Sequence, residues 1–225
     1  LKVKLEDRVA IVTGAGSGIG RAISCAFARE GAKVALAGRT RSTLEETAKE
    51  IEKSGGQALV VPTDVSIAEQ VDNLVKKTIE KFGKLDILVN NAGIPPMPGG
   101  VADISEEDWD RTMNVDLKGA FLCCKSALPE MKKIGKGKII NISSAAGILA
   151  EKGLNAYGVA KGALVLFTKQ LAVDYGRDGI NANCICPGYI NTPVTMLLVM
   201  DDKLRESVES FFPIKRIGQP EDVAW

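Results

Sequence analysis

Two groups of residues in this 225-residue sequence are spaced for chemistry. The first is Thr13-Gly14-Ala15-Gly16-Ser17-Gly18-Ile19-Gly20, which follows a short apolar run at 9–12 and leads into a helical period. Glycines there allow a tight turn and close backbone approach, and the N-terminus of the following helix offers unpaired N–H groups to a pyrophosphate. The spacing is the looser T-G-x-x-x-G-x-G. A strict G-x-G-x-x-G would need its last glycine where Ile19 or Arg21 stands. The second group is Tyr157-x-x-x-Lys161. On a helix the two share a face, so an ammonium can lie near a phenol oxygen. A unit charge at about 4 Å in an effective dielectric near 20 is worth about 4 kcal/mol, or about three pK units, enough to bring a phenol into proton exchange near neutrality. Taken alone, the pair equally describes two surface neighbours.

Composition narrows the alternatives. The chain contains no His, which excludes Ser-His-Asp, Cys-His and HExxH sites and leaves acid–base work to Tyr, Lys, Cys or a perturbed carboxylate. The five cysteines, Cys25, Cys123, Cys124, Cys184 and Cys186, are odd in number and lack C-x-x-C spacing. They read as free, buried thiols of a reducing cytosol rather than a disulfide framework or a metal site. Lys+Arg 29 against Asp+Glu 28 gives a net charge of +1 and no reason to expect nucleic acid or an acidic membrane as partner. No apolar run approaches the roughly 18 residues of a membrane span, and charged residues interrupt the start of the chain, so a soluble, cytoplasmic protein is expected. The sequence opens at Leu1 rather than Met, and a missing start is the expectation.

Positioning these residues requires a scaffold, and the hydrophobic pattern supplies one. Continuous apolar runs at 9–12, 34–37, 59–61, 87–89, 138–142 and 180–185 alternate with helical periods. One helix carries Ile19, Ala22, Ile23, Ala26 and Phe27 and stops at Gly31. A second is expected to be capped by Ser42 and to end near Gly55-Gly56, and a third has Val71, Leu74, Val75, Thr78, Ile79 and Phe82 on one face. Ser105 and Asp108 suggest a capping box that opens a helical stretch running, with a break, to about Lys132. Strand–helix alternation with fully apolar strands predicts an α/β fold, a parallel sheet covered by helices on both faces. No repeat or linker divides residues 1–225, so one dinucleotide-binding and catalytic domain is expected.

In dinucleotide folds an acid at the end of the second strand holds the adenosine ribose. Here that strand runs into Gly38-Arg39-Thr40-Arg41, and the first acid is Glu45. A small residue followed by guanidiniums suits a 2′-phosphate, which points to NADP(H). Both arginines standing in solvent at a helix entrance would leave NAD(H) open.

The glycine run at 13–20, Asn90-Asn91-Ala92-Gly93, Asn141-Ile142-Ser143-Ser144, Tyr157-x-x-x-Lys161 and Pro187-Gly188-Tyr189-Ile190-Asn191-Thr192 together closely resemble the short-chain dehydrogenase/reductase family. Five motifs in the family's order span essentially the whole chain, from Leu5 onward. The resemblance implies a Rossmann-like doubly wound sheet of strand order 3-2-1-4-5-6(-7). It makes Tyr157 the general acid in reduction and base in oxidation, and Lys161 the group that tunes it and binds the nicotinamide ribose. Ser144 would hold the substrate oxygen, with Ser143 as competitor, and Asn114 would support a proton-relay water. Gly14, Ser17, Gly18, Ile19 and Gly20 would line the cofactor phosphates and Arg39 the 2′-phosphate. Asp64 and Val65 would meet the adenine, Asn91, Ala92 and Gly93 the adenine ribose region, and Pro187, Gly188, Ile190 and Thr192 the carboxamide side. Hydride transfer is then the cofactor's chemistry. Family members continue past Asp222-Val223-Ala224 through a helix and a seventh strand, whereas this chain stops at Trp225. A truncated C-terminus is expected, and it weakens the homo-oligomer, tetramer or dimer, that the family otherwise implies.

Residues 193–212, with Val194, Met196, Leu197, Leu198, Val199, Met200, Phe211 and Phe212, read either as an apolar lid over an acyl or ring substrate or as a packing helix. The run Ile94-Pro95-Pro96-Met97-Pro98-Gly99-Gly100 is expected to rim the same pocket. The function these features favour is NADP(H)-dependent interconversion of a small-molecule ketone and a secondary alcohol, with a 3-oxoacyl thioester as the leading substrate class. The alternatives are an NAD(H)-dependent polyol, sugar or cyclic-alcohol dehydrogenase and a non-catalytic dinucleotide sensor.

Overall fold

Strands buried on both faces need helices on both faces, and the alternation of side chains along each strand shows how the layers divide. The computed structural model describes residues 3–196, 201–210 and 212–225. Its sheet comprises β1 (Val9–Thr13), β2 (Lys33–Gly38), β3 (Gln57–Pro62), β4 (Ile87–Asn90), β5 (Gly137–Ile142) and β6 (Ile180–Ile185). All neighbours are parallel, in the order β3-β2-β1-β4-β5-β6. Ile11, Ala35, Val61, Leu88 and Ile139 point into one core layer, against α3 (Ala68–Phe82), α5 (Gly119–Lys133) and α6 (Asn155–Tyr175). Ala10, Val12, Val34, Leu36 and Val89 point into the other, against α1 (Gly18–Arg29) and α2 (Arg41–Lys53).

The chain order reverses direction across the sheet between β1 and β4, which pair through Ala10–Ile87, Ile11–Leu88 and Val12–Val89. Connections leaving the carboxyl ends of these two strands therefore diverge and open a crevice, the place where ligands bind in such sheets. The glycine-rich turn after β1 and the Asn-Asn-Ala-Gly turn after β4 form its two lips.

Helix boundaries follow local chemistry. Thr40 rather than Ser42 occupies the N-cap of α2, without a side-chain capping bond, because the helix begins one residue after the strand-end turn. Gly83, at φ 82°, closes α3 in the left-handed region. Ser105 caps α4 (Glu106–Met113), its hydroxyl accepting from the Asp108 N–H at 3.1 Å. The expected break is a π-helical turn, Asn114–Lys118, which joins α4 to α5 without ending the helix. Among the described residues, two short helices, α7 (Asp202–Ser210) and α8 (Pro220–Ala224), follow β6. Of the expected lid, Leu197, Leu198, Val199, Met200 and Phe211 lie outside the described residues. Among the described residues no helix is long and apolar enough to cross a membrane, and no cluster of side chains could hold a metal ion. All five cysteines are free: Cys25, Cys123 and Cys124 are buried, whereas Cys184 and Cys186 are half-buried beside the sheet edge.

Asp86 pins the start of the β1–β4 pair. Its side chain is 4% exposed and lies 3.0 Å from both Arg8 Nη1 and Lys84 Nζ, and it accepts from the Val9 N–H at 3.0 Å. Burial alone would raise its pKa, but Lys84, the Val9 N–H and Arg8 outweigh burial and hold the carboxyl below the ordinary carboxylate range. A depressed carboxyl stabilises the fold above its unfolded pKa, near 3.9, and the contribution is lost as pH falls through the folded value. Asp86→Asn is expected to cost about 1–3 kcal/mol in urea unfolding at pH 7, with the difference from the parent narrowing below about pH 4.

Candidate active site

The two lips are held together by one threonine and one asparagine. Thr13, the last residue of β1, is 1% exposed. Its hydroxyl accepts from the N–H groups of Asn91 and Ala92, each at 3.0 Å, and faces the Val89 carbonyl at 3.3 Å. In return the Asn91 amide donates to the Thr13 carbonyl at 2.9 Å. Gly14 takes φ +65°, and a Cβ there would stand 2.7 Å from the Asn91 amide nitrogen, so only glycine turns the chain at this point. Gly20 is excluded from the cleft by its own packing: a Cβ would meet the Gly14 carbonyl at 2.2 Å, so its role is to let α1 approach the turn.

Ser17, the N-cap of α1, has extended backbone and makes no side-chain capping bond, so the first-turn N–H groups are not blocked by it. Arg21, whose part was not evident from the sequence, braces the turn from behind. It donates to the Gly16 carbonyl at 2.8 Å, to Glu46 at 2.9 Å and to Thr47 at 3.2 Å, tying the glycine run to α2. These contacts leave a cleft of about 350 Å³ above the carboxyl ends of the strands.

At one end of the cleft, beyond β2 and β3, stand Gly38, Arg39, Thr40, Thr43 and Asp64, while Val65 lies nearer the middle, where it also borders a small cavity with Ala92, Val115 and Asp116. Arg39 is exposed and, among the described residues, has no carboxylate in contact, while Arg41 pairs with Glu45 at 3.5 Å and does not line the cleft. Thr40 and Thr43, adjoining Arg39, were not singled out from the sequence. Asp64 is tied down by the Ser66 N–H at 2.9 Å and the Ser66 hydroxyl at 2.6 Å. Burial opposes its ionisation, but these bonds and the charge of Arg39 outweigh it and lower the pKa.

The other end gathers Asn91, Ala92, Gly93, Ser144, Tyr157, Lys161, Pro187, Gly188, Ile190 and Thr192. The two serines after β5 divide their work. Ser143 is buried and donates its hydroxyl to the Lys161 carbonyl at 2.8 Å. Ser144 is half-buried, and its oxygen accepts from the Ala146 N–H at 3.2 Å, which leaves its proton to donate into the cleft. Lys161 is 4% exposed, with Nζ 5.5 Å from the Tyr157 ring centroid and 3.3 Å from the Ile142 carbonyl, to which it donates.

Asn114 is not among the side chains that line this cleft, although its neighbours Val115 and Asp116 are. It is half-buried in the π-helical turn, and its backbone carbonyl accepts from the Gly119 N–H. The wide turn brings Val115 and Asp116 to the cleft instead, with Asp116 Oδ1 3.1 Å from Lys161 Nζ. Of the proline-rich run, only Ile94 lines the cleft; Gly99 is anchored to Gly153 and Leu154 at the entrance to α6. Phe212 stands edge-on to Tyr189 with centroids 6.1 Å apart, at the rim near Gly188.

The turn, the open helix end and a cleft of this size fit a bound dinucleotide. A family model of short chain dehydrogenases matches residues 8–203. The chain belongs to the short-chain dehydrogenase family. An uncharacterised oxidoreductase of Thermotoga maritima is 42% identical over 99% of this chain and 89% of its own length. A 3-oxoacyl-[acyl-carrier-protein] reductase of the same organism is 37% identical, with the same coverage. Among solved structures, a protein from Beutenbergia cavernae, provisionally named an NAD(P)-dependent gluconate 5-dehydrogenase and carrying NADP at low occupancy, superposes with a TM-score of 0.92. It is 34% identical, over 100% of this chain and 89% of that one. This short-chain dehydrogenase is thus an NAD(P)-dependent oxidoreductase with the parallel fold of its relatives. Gly20→Ala forces a methyl against backbone that cannot yield, and fluorescence titration is expected to show dinucleotide binding at least about tenfold weaker, with a lower melting temperature.

Proposed function

We propose that this short-chain dehydrogenase, acting as one catalytic domain, interconverts a ketone and a secondary alcohol with NADP(H), on substrates of the 3-oxoacyl thioester class. The observation that carries the reading is that Ser144, Tyr157 and Lys161 line the same cleft as the glycine turn and Arg39. In reduction the Ser144 hydroxyl donates to the substrate oxygen and Tyr157 delivers the proton that converts it to an alcohol. In oxidation the phenolate of Tyr157 takes that proton back. Lys161 stabilises the phenolate and donates to the nicotinamide ribose. The nicotinamide, when bound, supplies the hydride in one direction and takes it up in the other. Gly14, Ser17, Gly18 and Ile19 hold the pyrophosphate, with Gly20 behind them. Asp64 and Val65 border the adenine, Asn91, Ala92 and Gly93 its ribose side, and Pro187, Gly188, Ile190 and Thr192 the carboxamide.

Ile94, Pro193 and Val194 give the substrate end an apolar border, which supports an acyl chain, as does the likeness to a 3-oxoacyl reductase. The likeness to the Beutenbergia protein favours a second reading of the substrate, a polyol or sugar alcohol, and since that protein carries NADP it lends nothing to NAD(H), which stays the alternative cofactor. A non-catalytic sensor would not require the Ser144–Tyr157–Lys161 group. Family membership supports a small-molecule substrate and a homo-oligomer, tetramer or dimer, and a cytoplasmic location agrees with the absence of a spanning helix among the described residues.

Turnover is read as NADPH oxidation with a panel of 3-oxoacyl thioesters, cyclic ketones and keto-sugars. Tyr157→Phe is expected to lose about 10²- to 10⁴-fold in kcat while still binding NADPH; binding without turnover by the parent protein across the panel would favour the sensor. NADPH is expected to bind more tightly than NADH, and Arg39→Ala to weaken NADPH alone by about 10- to 100-fold. Equal affinities in the parent protein would overturn the NADP(H) assignment.

A further inference from the structure

The ion pair between Lys161 and Asp116 is buried on both sides, with side-chain exposures of 5% and 0%. Asp116 Oδ2 accepts from the Ile94 N–H at 3.1 Å, whereas Oδ1 makes no hydrogen bond among the described residues although it lies 3.1 Å from Nζ. The attraction is therefore between charges at contact rather than an aligned hydrogen bond. Gly93 seals the pair: a Cβ there would stand 2.7 Å from Oδ1 and 3.4 Å from Nζ. The loop after β4, the π-helical turn and α6 thus meet at one carboxylate.

We propose that Asp116 is a positioning residue that holds Lys161 by charge and, by cancelling most of that charge, sets the pH at which Tyr157 exchanges its proton. An ammonium assists phenol ionisation only in so far as its charge is uncompensated, and a carboxylate in contact screens it from groups farther away. The groups facing Lys161 are Tyr157 on its own helix, Asp116 from the π-helical turn, the Ile142 carbonyl with Ser143 and Ser144 from the end of β5, and the backbone of Gly93. The other charged residues lining the cleft, Arg39 and Asp64, stand at its opposite end. Lys161 still favours the phenolate, but less than an unpaired ammonium would. The effect expected of a lone ammonium beside the phenol is thereby reduced.

This inference rests on Tyr157 as the proton carrier, and the experiment separates the two. Alcohol oxidation at saturating NADP⁺ is followed from pH 5 to 11 in the parent protein, Tyr157→Phe and Asp116→Asn. Asp116→Asn keeps an oxygen for the Ile94 N–H but removes the charge. The rising limb of kcat is expected to move about one unit to lower pH, with the high-pH plateau within a few-fold of the parent's. Asp116→Ser, which removes the carboxylate and leaves a hydroxyl oxygen able to accept from the ammonium or the Ile94 N–H, is expected to give the same shift and keeps the test open if the amide variant does not fold. A limb that stays in place or moves to higher pH, with melting temperature and NADPH binding preserved, overturns the role of Asp116. Undiminished turnover by Tyr157→Phe would instead overturn the reading on which it rests.

Discussion

The site depends on the bond network between Thr13 and Asn91, which locks the carboxyl ends of β1 and β4 side by side. On one side of that lock the chain turns through Gly14 toward α1. On the other it runs through Gly93 over the Lys161–Asp116 pair. A shift of either strand would part the glycine turn from the Ser144–Tyr157–Lys161 group; α1 adds to the lock, since Gly20 packs against both Gly14 and the Asn91 amide. The reversal of strand order creates the crevice; these two side chains determine its width.

Burying the Lys161–Asp116 pair is not a route to stability. Taking two charges from water costs several kcal/mol per ion, and the attraction returns that only with good geometry and further hydrogen bonds. Here Oδ1 lacks an aligned donor. Replacing such a pair by apolar residues of similar volume is often neutral or stabilising, so stability is a weak reason for these two charges. Asp86, by contrast, meets two partly exposed cations and the Val9 N–H and lies away from the cleft, where its whole effect is structural.

The sheet was legible because its strands are continuous apolar runs bounded by glycine or polar residues. The six predicted strands differ from the observed ones by at most two residues at an end, and 180–185 coincides. The glycine turn and Tyr157-x-x-x-Lys161 were legible because their spacing is local. What escaped depends on geometry that spacing does not encode. A π-helical turn changes which side chain of Asn114-Val115-Asp116 faces inward, and nothing in those residue types announces the wider turn. Arg21 matters through neighbours 5 and 26 residues away, which single-sequence periodicity does not connect, and Thr43 is bonded to the Thr40 carbonyl three residues back. The nearest signal was the clustering of hydroxyl and guanidinium groups beyond β2.

The brace that Arg21 lays across the Gly16 carbonyl and α2 has a consequence for how the protein can diversify. It fixes the shape of the diphosphate cradle from within the protein, while Arg39 reaches the cleft from solvent and bears none of the scaffold. If Arg39 reads the nucleotide as proposed, preference between two nearly identical nucleotides and the machinery for moving protons occupy separable parts of the molecule, and a lineage, or an engineer, could exchange one currency of reducing power for another at the rim without rebuilding the centre.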